Sequence, residues 1–479
     1  MKTKNRIYRT PLYFFIIALS FSQTAFCQYD IKLEISNAKN DTIFLGYYYM
    51  GATYAIDTCV NKKGKFQFQS KDKKLEDGIY FFSNNAGSFS EFIISDSRKM
   101  TFKTKGEDWN KYMTVKGSED EKVYLDYLQK SNVFTEQFKN LSNQTQDKVL
   151  YNQKLSALKM QSDSLKEDFI SKYPQHFLSK VLNASRPIVF PKFENIYKAD
   201  GTIDSLAMQK VGWQYYKQHY FDNIDLSCSG LIRTPKEIFH NTFNNFWDNV
   251  MKYEKTDTII KYADSLILAC KNSYEMEKYF INDIARRYLL DNVMGHDKIY
   301  VHMIDKYFKT GKVAWMHPSD IEMNITRADK WRNLLIGKIV PNLSCPEDDE
   351  KSKWHSLSDL QNRYKILVFW SVECGHCSVE MPKLAEWYKN NKDRYNAEIF
   401  AVHSEGDINE MHAFAKKNNM SWINVNGLYA NYDWHTYFDI EKTPVIYILN
   451  KENKILAKNI SVERIGDLIE FLEKGEFEL

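Results

Sequence analysis

The chain has 479 residues and an almost even balance of 65 basic and 62 acidic side chains, which leaves a net charge of +3 at pH 7. This balance provides no basic excess of the kind that nucleic-acid binding requires, so we exclude a nucleic-acid partner. The length allows about three domains, each large enough to bury its own core. One active site need therefore not account for the whole chain.

The N-terminus has the pattern of a secretory signal. Four basic residues precede an apolar run over residues 11–19 that is too short to span a bilayer. We predict a signal peptide over residues 1–27, and hence export to the periplasm or outer cell envelope. Acylation of Cys27 as a lipid anchor is the alternative, and Phe26 directly before it argues against that. No later apolar run is long enough for a transmembrane helix in the mature chain.

Residues 29–109 consist of short runs in which apolar and polar side chains alternate. Ile31, Leu33 and Ile35 form one such run. A period of two indicates half-buried strands, and the glycines and aspartates between the runs are typical of turns. The sequence therefore predicts an antiparallel β-sandwich over residues 28–115.

The pattern changes to a helical one at Gly117. Ser118 followed by Glu121 has the spacing of a capping box, and Pro174 should end a later helix. Four aromatic residues recur at helical spacing further on: Phe239, Phe243, Phe246 and Trp247. We assign them to a core rather than to a ligand platform, because an amphipathic helix must bury such a face. The sequence predicts an all-α domain over residues 116–328.

The C-terminal third has the pattern of a parallel sheet. The apolar runs 366–369 and 399–402 are each followed by a helix-like stretch, which favours βαβ units. Three further segments complete the pattern as a hairpin and a closing helix: 445–449, 454–457 and 464–473. Together they predict an α/β domain over residues 329–479.

Cys374-Gly375-His376-Cys377 stands directly after the first of these runs and before a helix-like stretch. At such a turn the helix dipole favours a thiolate at Cys374, and the spacing brings Cys377 close enough for a disulfide. We predict that the exposed Cys374 attacks and that the deeper Cys377 resolves. A zinc site is the alternative, but it needs two more ligands. His355, His403 or Cys345 could be recruited in principle, but no second CxxC or HxxxH completes a set.

Four other cysteines follow the signal segment: Cys59, Cys228, Cys270 and Cys345. Such sparse usage is not a disulfide scaffold. Isolated, partly buried thiols are favoured over structural pairs, although pairing of Cys228 with Cys270, or of Cys345 with another residue, stays open.

The flanking residues carry a family resemblance. Residues 369–382 read F-W-x-x-x-C-x-x-C-x-x-E-x-P. Residues 437–449 contain Thr443-Pro444, and an apolar run that is typical of a strand follows this pair. Residues 330–479 thereby resemble the thioredoxin superfamily, and within it the TlpA/ResA-like envelope branch. The N-terminal region resembles a small β-domain of unknown function that is often found ahead of envelope thioredoxin domains. The helical region weakly resembles a helical region of unknown role in multidomain envelope relatives.

The resemblance implies roles for four supporting residues. Pro444 is expected to be cis and to face the disulfide, with Thr443 offering its backbone to an extended substrate. Trp370 is expected beneath the site. Glu380 is expected to relay a proton to the resolving thiol, because Val368 occupies the position of the usual buried aspartate.

His376 replaces the proline of most close relatives. An imidazolium there would stabilise the Cys374 thiolate and raise the reduction potential. A solvated histidine with little effect is the alternative. The resemblance favours reduction as the direction of electron flow, whereas His376 is the residue that favours the isomerase or oxidase alternative.

The resulting hypothesis is an exported thiol-disulfide oxidoreductase that exchanges disulfides with a protein thiol and receives electrons from an upstream envelope donor. Apart from the redox-active Cys374–Cys377 disulfide, we expect no cofactor and no metal. A disulfide isomerase or oxidase is one alternative. A non-catalytic envelope binding module with an accessory redox site is the other.

Overall fold

The computed structural model describes residues 27–36, 38, 41–61, 63–144 and 147–474. Nearly all of the predicted signal peptide therefore lies outside the described residues. The chain divides into two units, each described by itself. Unit 1 comprises Met1–Arg186 with Gly230–His240, and unit 2 comprises Pro187–Ser229 with Asn241–Leu479.

The described residues of unit 1 form two four-stranded sheets. Its strands are β1 Tyr29–Ser36, β2 Asp41–Tyr49, β3 Ala52–Asn61, β4 Lys65–Ser70, β5 Gly78–Asn84, β6 Phe89–Ile94, β7 Lys99–Lys105 and β8 Thr114–Lys116. One sheet has the order β4-β1-β7-β8 and the other β3-β2-β5-β6. Their inner faces share one apolar core, in which the Phe82 and Phe92 rings stack with centroids 4.6 Å apart. The predicted β-rich N-terminal region is confirmed.

One strand pair in unit 1 differs from the predicted antiparallel arrangement. Strands β1 and β7 pair in parallel, with Ile31 opposite Met100 and Leu33 opposite Phe102. The alternating pattern specifies which face of a strand is buried and not the direction of its neighbour. Five strands separate β1 from β7 along the chain, which is enough connection for a parallel pairing.

In the described part of unit 1 the chain also forms the helices α1 Trp109–Tyr112, α2 Glu119–Gln144, α3 Lys148–Lys172 and α4 Phe177–Ala184. Ser118 Oγ accepts the N–H of Glu121 at 2.9 Å, as one half of a capping box does. The other half is replaced, because the Glu121 carboxylate is buried and accepts the N–H of Ile93 at 2.7 Å. Helix α3 ends before Pro174, as predicted.

The helical part associated with unit 2 contains α5 Ser205–Gln218, α6 His240–Asn245, α7 Thr256–Ala269, α8 Tyr274–Leu289, α9 Asp297–Met303 and α10 Pro318–Asn333. Two π-helical turns, Phe246–Val250 and Ile304–Phe308, extend α6 and α9. Phe243, Phe246 and Trp247 are all buried, which confirms their assignment to a core.

The C-terminal part of unit 2 is a five-stranded sheet between helices, with a small separate strand pair. Its strands are β9 Ser344–Pro346, β10 Trp354–Ser356, β11 Tyr364–Trp370, β12 Ala397–His403, β13 Ile423–Asn426, β14 Val445–Asn450 and β15 Ile455–Lys458. Its helices are α11 Gly375–Tyr395, α12 Ile408–Lys417, α13 Trp434–Phe438 and α14 Ile465–Glu473.

The order of the large sheet is β13-β12-β11-β14-β15. Strands β11, β12 and β13 are parallel, whereas β14 and β15 form the predicted antiparallel hairpin. Every residue of β11 is buried, because separate apolar clusters cover its two faces. This α/β arrangement confirms the predicted fold class and leaves the ends of the strands as the places where side chains reach solvent.

None of the helices in the described part of the chain is long and apolar enough to cross a membrane.

Candidate active site

The CxxC segment lies where β11 ends and α11 begins. Cys374 is the N-cap residue of α11, so its side chain points at the first, unpaired N–H groups of the helix. The preceding turn is fixed by Ser371, whose Oγ accepts the N–H of Glu373 and donates to the carbonyl of Glu405, each at 3.0 Å. The turn therefore holds the first cysteine at the carboxyl end of the central strand.

The Cys374 sulfur has two close polar partners. Its Sγ accepts the backbone N–H of Cys377 at 3.2 Å, and the thiol lies 3.2 Å from the carbonyl oxygen of Thr443. Both Cys374 and Cys377 are free thiols in the structure. Cys374 is partly exposed, whereas Cys377 is fully buried one helical turn further on.

The environment separates the pKa values of the two thiols. Burial of Cys374 by itself raises its pKa, but hydrogen bonds involving Cys377, Thr443 and the backbone of His376 outweigh burial and hold the pKa below its usual value. Burial, and then the hydrogen bond to Cys374, raises the pKa of Cys377 to about 12. A thiolate is the nucleophile in disulfide exchange, so this environment favours Cys374 for attack.

The surroundings of Cys377 are apolar. It belongs to the core cluster that also contains Val368, the residue at the position of the expected carboxylate. Glu380 lies one turn later on α11, and its Oε1 is 2.7 Å from Nζ of Lys383. Lys383 also reaches Glu463 at 2.7 Å. The role of Glu380 in proton relay stays a prediction.

Thr443 and Pro444 lie beside the reactive sulfur. The peptide bond between them is cis, as the resemblance implied. The Thr443 carbonyl faces Cys374, and strand β14 begins directly after Pro444. Backbone from the loop before β14 thus forms one wall of the site.

His376 and Trp370 have contrasting positions. The His376 side chain is exposed in the first turn of α11, and the backbone of this residue contributes to lowering the Cys374 pKa. Trp370 is fully buried at the end of β11, with its ring against His403 and Phe414 at centroid distances of 5.6 Å each. Among the described residues its Nε1 has no hydrogen-bond partner.

The structure adds two residues whose contribution to this site was not predicted. His403 Nε2 accepts the N–H of Val372 at 3.4 Å. Burial, and then the charge of His412, lowers the pKa of His403 to about 4, which leaves a neutral imidazole available as an acceptor at neutral pH. Gly406 has a φ of +100°, and a Cβ there would lie 3.1 Å from a methyl group of Val372.

A sequence signal existed for one of them. The parallel register places His403 opposite Trp370, so a polar residue at the end of β12 lies next to the end of β11. In the sequence His403 was considered only as a possible zinc ligand. No comparable signal marks Gly406, because its close approach to Val372 depends on tertiary packing.

The remaining thiols are not assembled into a site. Cys59, Cys270 and Cys345 are free, and burial raises the pKa of both Cys270 and Cys345 to about 12. Across the residues that the structure describes, no group of three or more potential metal-ligating side chains is found.

A parallel-centred sheet with a CxxC at the strand-to-helix turn and a cis-proline beside it defines a thioredoxin-like domain built for thiol–disulfide exchange. Residues 336–457 match the model of the AhpC/TSA family. Residues 29–124 match a domain of unknown function, DUF4369, in agreement with the β-domain observed there. Residues 336–457 therefore form an AhpC/TSA-family, thioredoxin-like domain that is similar to thiol-disulfide oxidoreductases of the ResA type.

Two curated relatives carry that description. The chain is 27% identical over 143 residues to "Thiol-disulfide oxidoreductase ResA" of Bacillus subtilis (strain 168), covering 29% of this chain and 77% of the relative. It is 25% identical over 154 residues to the ResA of Bacillus cereus (strain ZK / E33L), covering 31% of this chain and 82% of the relative.

Solved structures similar to this chain include a thioredoxin-like protein from Bacteroides caccae ATCC 43185. It is 16% identical with a TM-score of 0.45, over 60% of this chain and 99% of that one. Another is a thiol-disulfide oxidoreductase from Bacteroides fragilis NCTC 9343. It is 27% identical with a TM-score of 0.24, over 28% of this chain and 99% of that one.

Proposed function

We propose that this chain is a thiol-disulfide reductase of the cell envelope that reduces disulfides in protein substrates through its CGHC segment. The observation that carries the proposal is the contrast between the two thiols. Cys374 is accessible with a lowered pKa, and Cys377 is buried with a pKa of about 12. Such a pair divides the work between an attacking and a resolving sulfur.

In the first step the Cys374 thiolate attacks one sulfur of a substrate disulfide. A Cys374–substrate bond forms, the substrate S–S bond breaks, and the other substrate sulfur leaves as a thiolate that takes up a proton. In the second step Cys377 loses its proton and attacks Sγ of Cys374. The second substrate thiolate leaves and is protonated. The substrate has gained two electrons and two protons, and the enzyme ends with a Cys374–Cys377 disulfide.

Completing the cycle requires a dithiol donor that returns two electrons and two protons to that disulfide. We place this donor upstream in the envelope, because an oxidising compartment does not keep a CxxC reduced by itself. The sequence of residues 1–27 supports the location. Its test is the position of the full-length protein and of a variant lacking this segment after cell fractionation. A full-length protein found only in the cytoplasm would overturn the envelope location.

Thr443 and Pro444 support binding of an extended substrate. The loop lies against Sγ of Cys374, and in strand addition the backbone of a peptide pairs with exposed backbone of the protein. Trp370 fills the space behind the active-site turn. Its role is to position that turn and not to contact the substrate.

We assign Glu380 to the proton transfer that activates Cys377. The carboxylate is one helical turn from Cys377 and its ion pair with Lys383 must open for it to accept the proton. Glu380→Gln should slow resolution of the mixed disulfide by about 100-fold with the attack step unchanged. Lys383→Met is the matched control, because it removes the ion pair and keeps the carboxylate. A resolution rate equal to wild type in Glu380→Gln would exclude this role.

The proposal is tested by the reduction of a protein disulfide. The reduced protein should reduce the disulfides of insulin in a single turnover, and Cys374→Ser should abolish the reaction. Its reduction potential should lie nearer to the roughly −270 mV of thioredoxin than to the roughly −180 mV of disulfide isomerase. A potential near the isomerase value would support the isomerase alternative. Intact insulin after incubation with the reduced wild-type protein would overturn the proposed chemistry.

A further inference from the structure

A groove of about 660 Å³ opens beside the cis-proline in unit 2. Pro444 and Val445 line one side. The loop between α8 and α9 and the helix α10 line the other, through residues that include Leu290, Val293 and Trp331. These helical residues lie outside the 336–457 family match. We call this space the Pro444 groove.

The groove begins one residue away from the backbone carbonyl that contacts the reactive sulfur. Cys374 Sγ lies 3.2 Å from the Thr443 carbonyl, and the next residue, Pro444, is part of the groove lining. An extended chain advances about 3.3 Å per residue. The Pro444 groove is therefore within the reach of the residues that flank a substrate cysteine bound at Cys374.

The helical side of the groove presents apolar side chains to solvent. Leu290 is 65% exposed and Val293 is 47% exposed. The loop that carries them is fixed in place by Asp291, which accepts the N–H of Val293 at 2.8 Å and contacts His296 Nδ1 at 2.8 Å. Because hydrogen bonds already hold this loop, an apolar ligand residue can bind against it without the free-energy cost of ordering the loop.

The polar lining of the groove includes a buried ion pair. Asp297 and Lys458 form an ion pair whose side chains are 14% and 9% exposed. Within the described part of the chain, the second oxygen of Asp297, Oδ1, is buried and has no hydrogen-bond partner. Because this oxygen is closed off from solvent, a peptide in the groove does not reach it, and recognition there depends on the exposed apolar side chains.

We propose that the Pro444 groove binds the polypeptide flanking the substrate cysteine, and that Leu290 and Val293 select segments with an apolar residue beside that cysteine. The occupant is an extended or unfolded protein segment, not a small disulfide. This inference rests on the proposed function and assigns part of the helical region to substrate selection.

The test uses two short peptides, each carrying one cysteine as a mixed disulfide with mercaptoethanol. The peptides differ only in whether Leu or Gln stands at the positions flanking the cysteine. Single-turnover rate constants are measured with the reduced full-length protein. Wild type should react about fivefold faster with the Leu peptide, because the groove buries part of that side chain. The double variant Leu290→Gln/Val293→Gln should lose this preference.

Leu268→Gln is the matched control, because Leu268 is 66% exposed on α7 and does not line the groove. It should keep the fivefold preference. Bis(2-hydroxyethyl) disulfide should react equally with wild type and all variants. Equal rates for the two peptides in wild type, or a preference that persists in the double variant, would overturn the groove proposal alone. No reaction of wild type with bis(2-hydroxyethyl) disulfide would overturn the proposed function, and this inference with it.

Discussion

The strands of the two sheet regions differ in burial: those of unit 1 have one buried face, whereas the central strand of unit 2 is buried on both faces. In the β-domain of unit 1, strand β4 alternates between exposed and buried residues, and one face of each sheet covers a shared core. In unit 2, strand β11 is buried along its whole length. A strand covered on both faces can present chemistry only at its ends, and the CxxC stands at the carboxyl end of β11. The same residue types thus build a scaffold in one region and a reactive site in the other.

The largest effect should come from the resolving cysteine. Cys377→Ser leaves Cys374 to attack but removes the sulfur that releases the substrate, so turnover should cease and a covalent adduct should accumulate. The measurement is non-reducing electrophoresis of the variant recovered from the envelope, with the partner identified by mass spectrometry. Cys374→Ser/Cys377→Ser is the control and should form no adduct. A double variant with intact cellular function would favour the binding-module alternative.

A substitution in the core of unit 1 should lower the stability of the β-domain without changing the rate of disulfide exchange in unit 2. Phe82 is fully buried and its ring contacts those of Phe92 and Phe102 at 4.6 and 5.3 Å between centroids. Phe82→Ala should lower the free energy of unfolding of the β-domain by about 3–5 kcal/mol through the cavity it leaves. The measurement is chemical denaturation. The rate with bis(2-hydroxyethyl) disulfide should stay unchanged below the transition, and a parallel loss of that rate would contradict the separation of roles.

Two glycines allow a comparison at matched backbone strain. Gly406 has a φ of +100° and Gly87 a φ of +90°, but a Cβ at Gly87 would meet nothing within 4 Å. Both alanine substitutions should cost about 1–3 kcal/mol from backbone strain. Only Gly406→Ala should also slow disulfide exchange, because its Cβ presses on Val372 in the active-site turn. Equal exchange rates in the two variants would show that this contact does not position the turn.

The smallest effect concerns His376. Its backbone contributes a hydrogen bond that lowers the Cys374 pKa. His376→Pro removes the N–H and should raise that pKa, destabilise the thiolate and lower the reduction potential by about 30 mV per pKa unit. His376→Ala keeps the N–H and isolates the contribution of the imidazole. A potential shifted by the alanine variant as much as by the proline variant would assign the effect to the side chain.

The sequence alone was sufficient to predict those elements whose hydrophobic periodicity agrees with the turn-forming or helix-ending residues that flank them. The hairpin of β14 and β15 and the end of α3 before Pro174 were both predicted. The parallel pairing of β1 with β7 was not, because alternation carries no information about strand direction. The role of Glu121 was also missed, since a residue that resembles a cap partner is instead held by the edge of a sheet.

For the candidate site, the motif identified the sulfur atoms, whereas Thr443 and Pro444 were placed beside them by the family resemblance and not by the spacing of the motif. Cys374 and Cys377 follow from spacing and from their place after a buried run. The contribution of Thr443 to Cys374 depends on a fold that joins residues 69 positions apart. The Pro444 groove depends on helices whose sequence shows only an amphipathic pattern, so no motif could mark Leu290 or Val293 as part of it.

The most direct test of the account is the pH dependence of thiol alkylation in the reduced, native protein. Iodoacetamide labelling at each pH, with peptide mapping of the modified residue, follows each thiolate separately. Because only the thiolate reacts, the rate rises as pH passes through each pKa. We expect Cys374 to reach half of its maximal rate below the usual thiol pKa, with Cys377 unmodified until the pH approaches about 12. Labelling of Cys377 before Cys374, or of both at one pH, would contradict the division of roles between them.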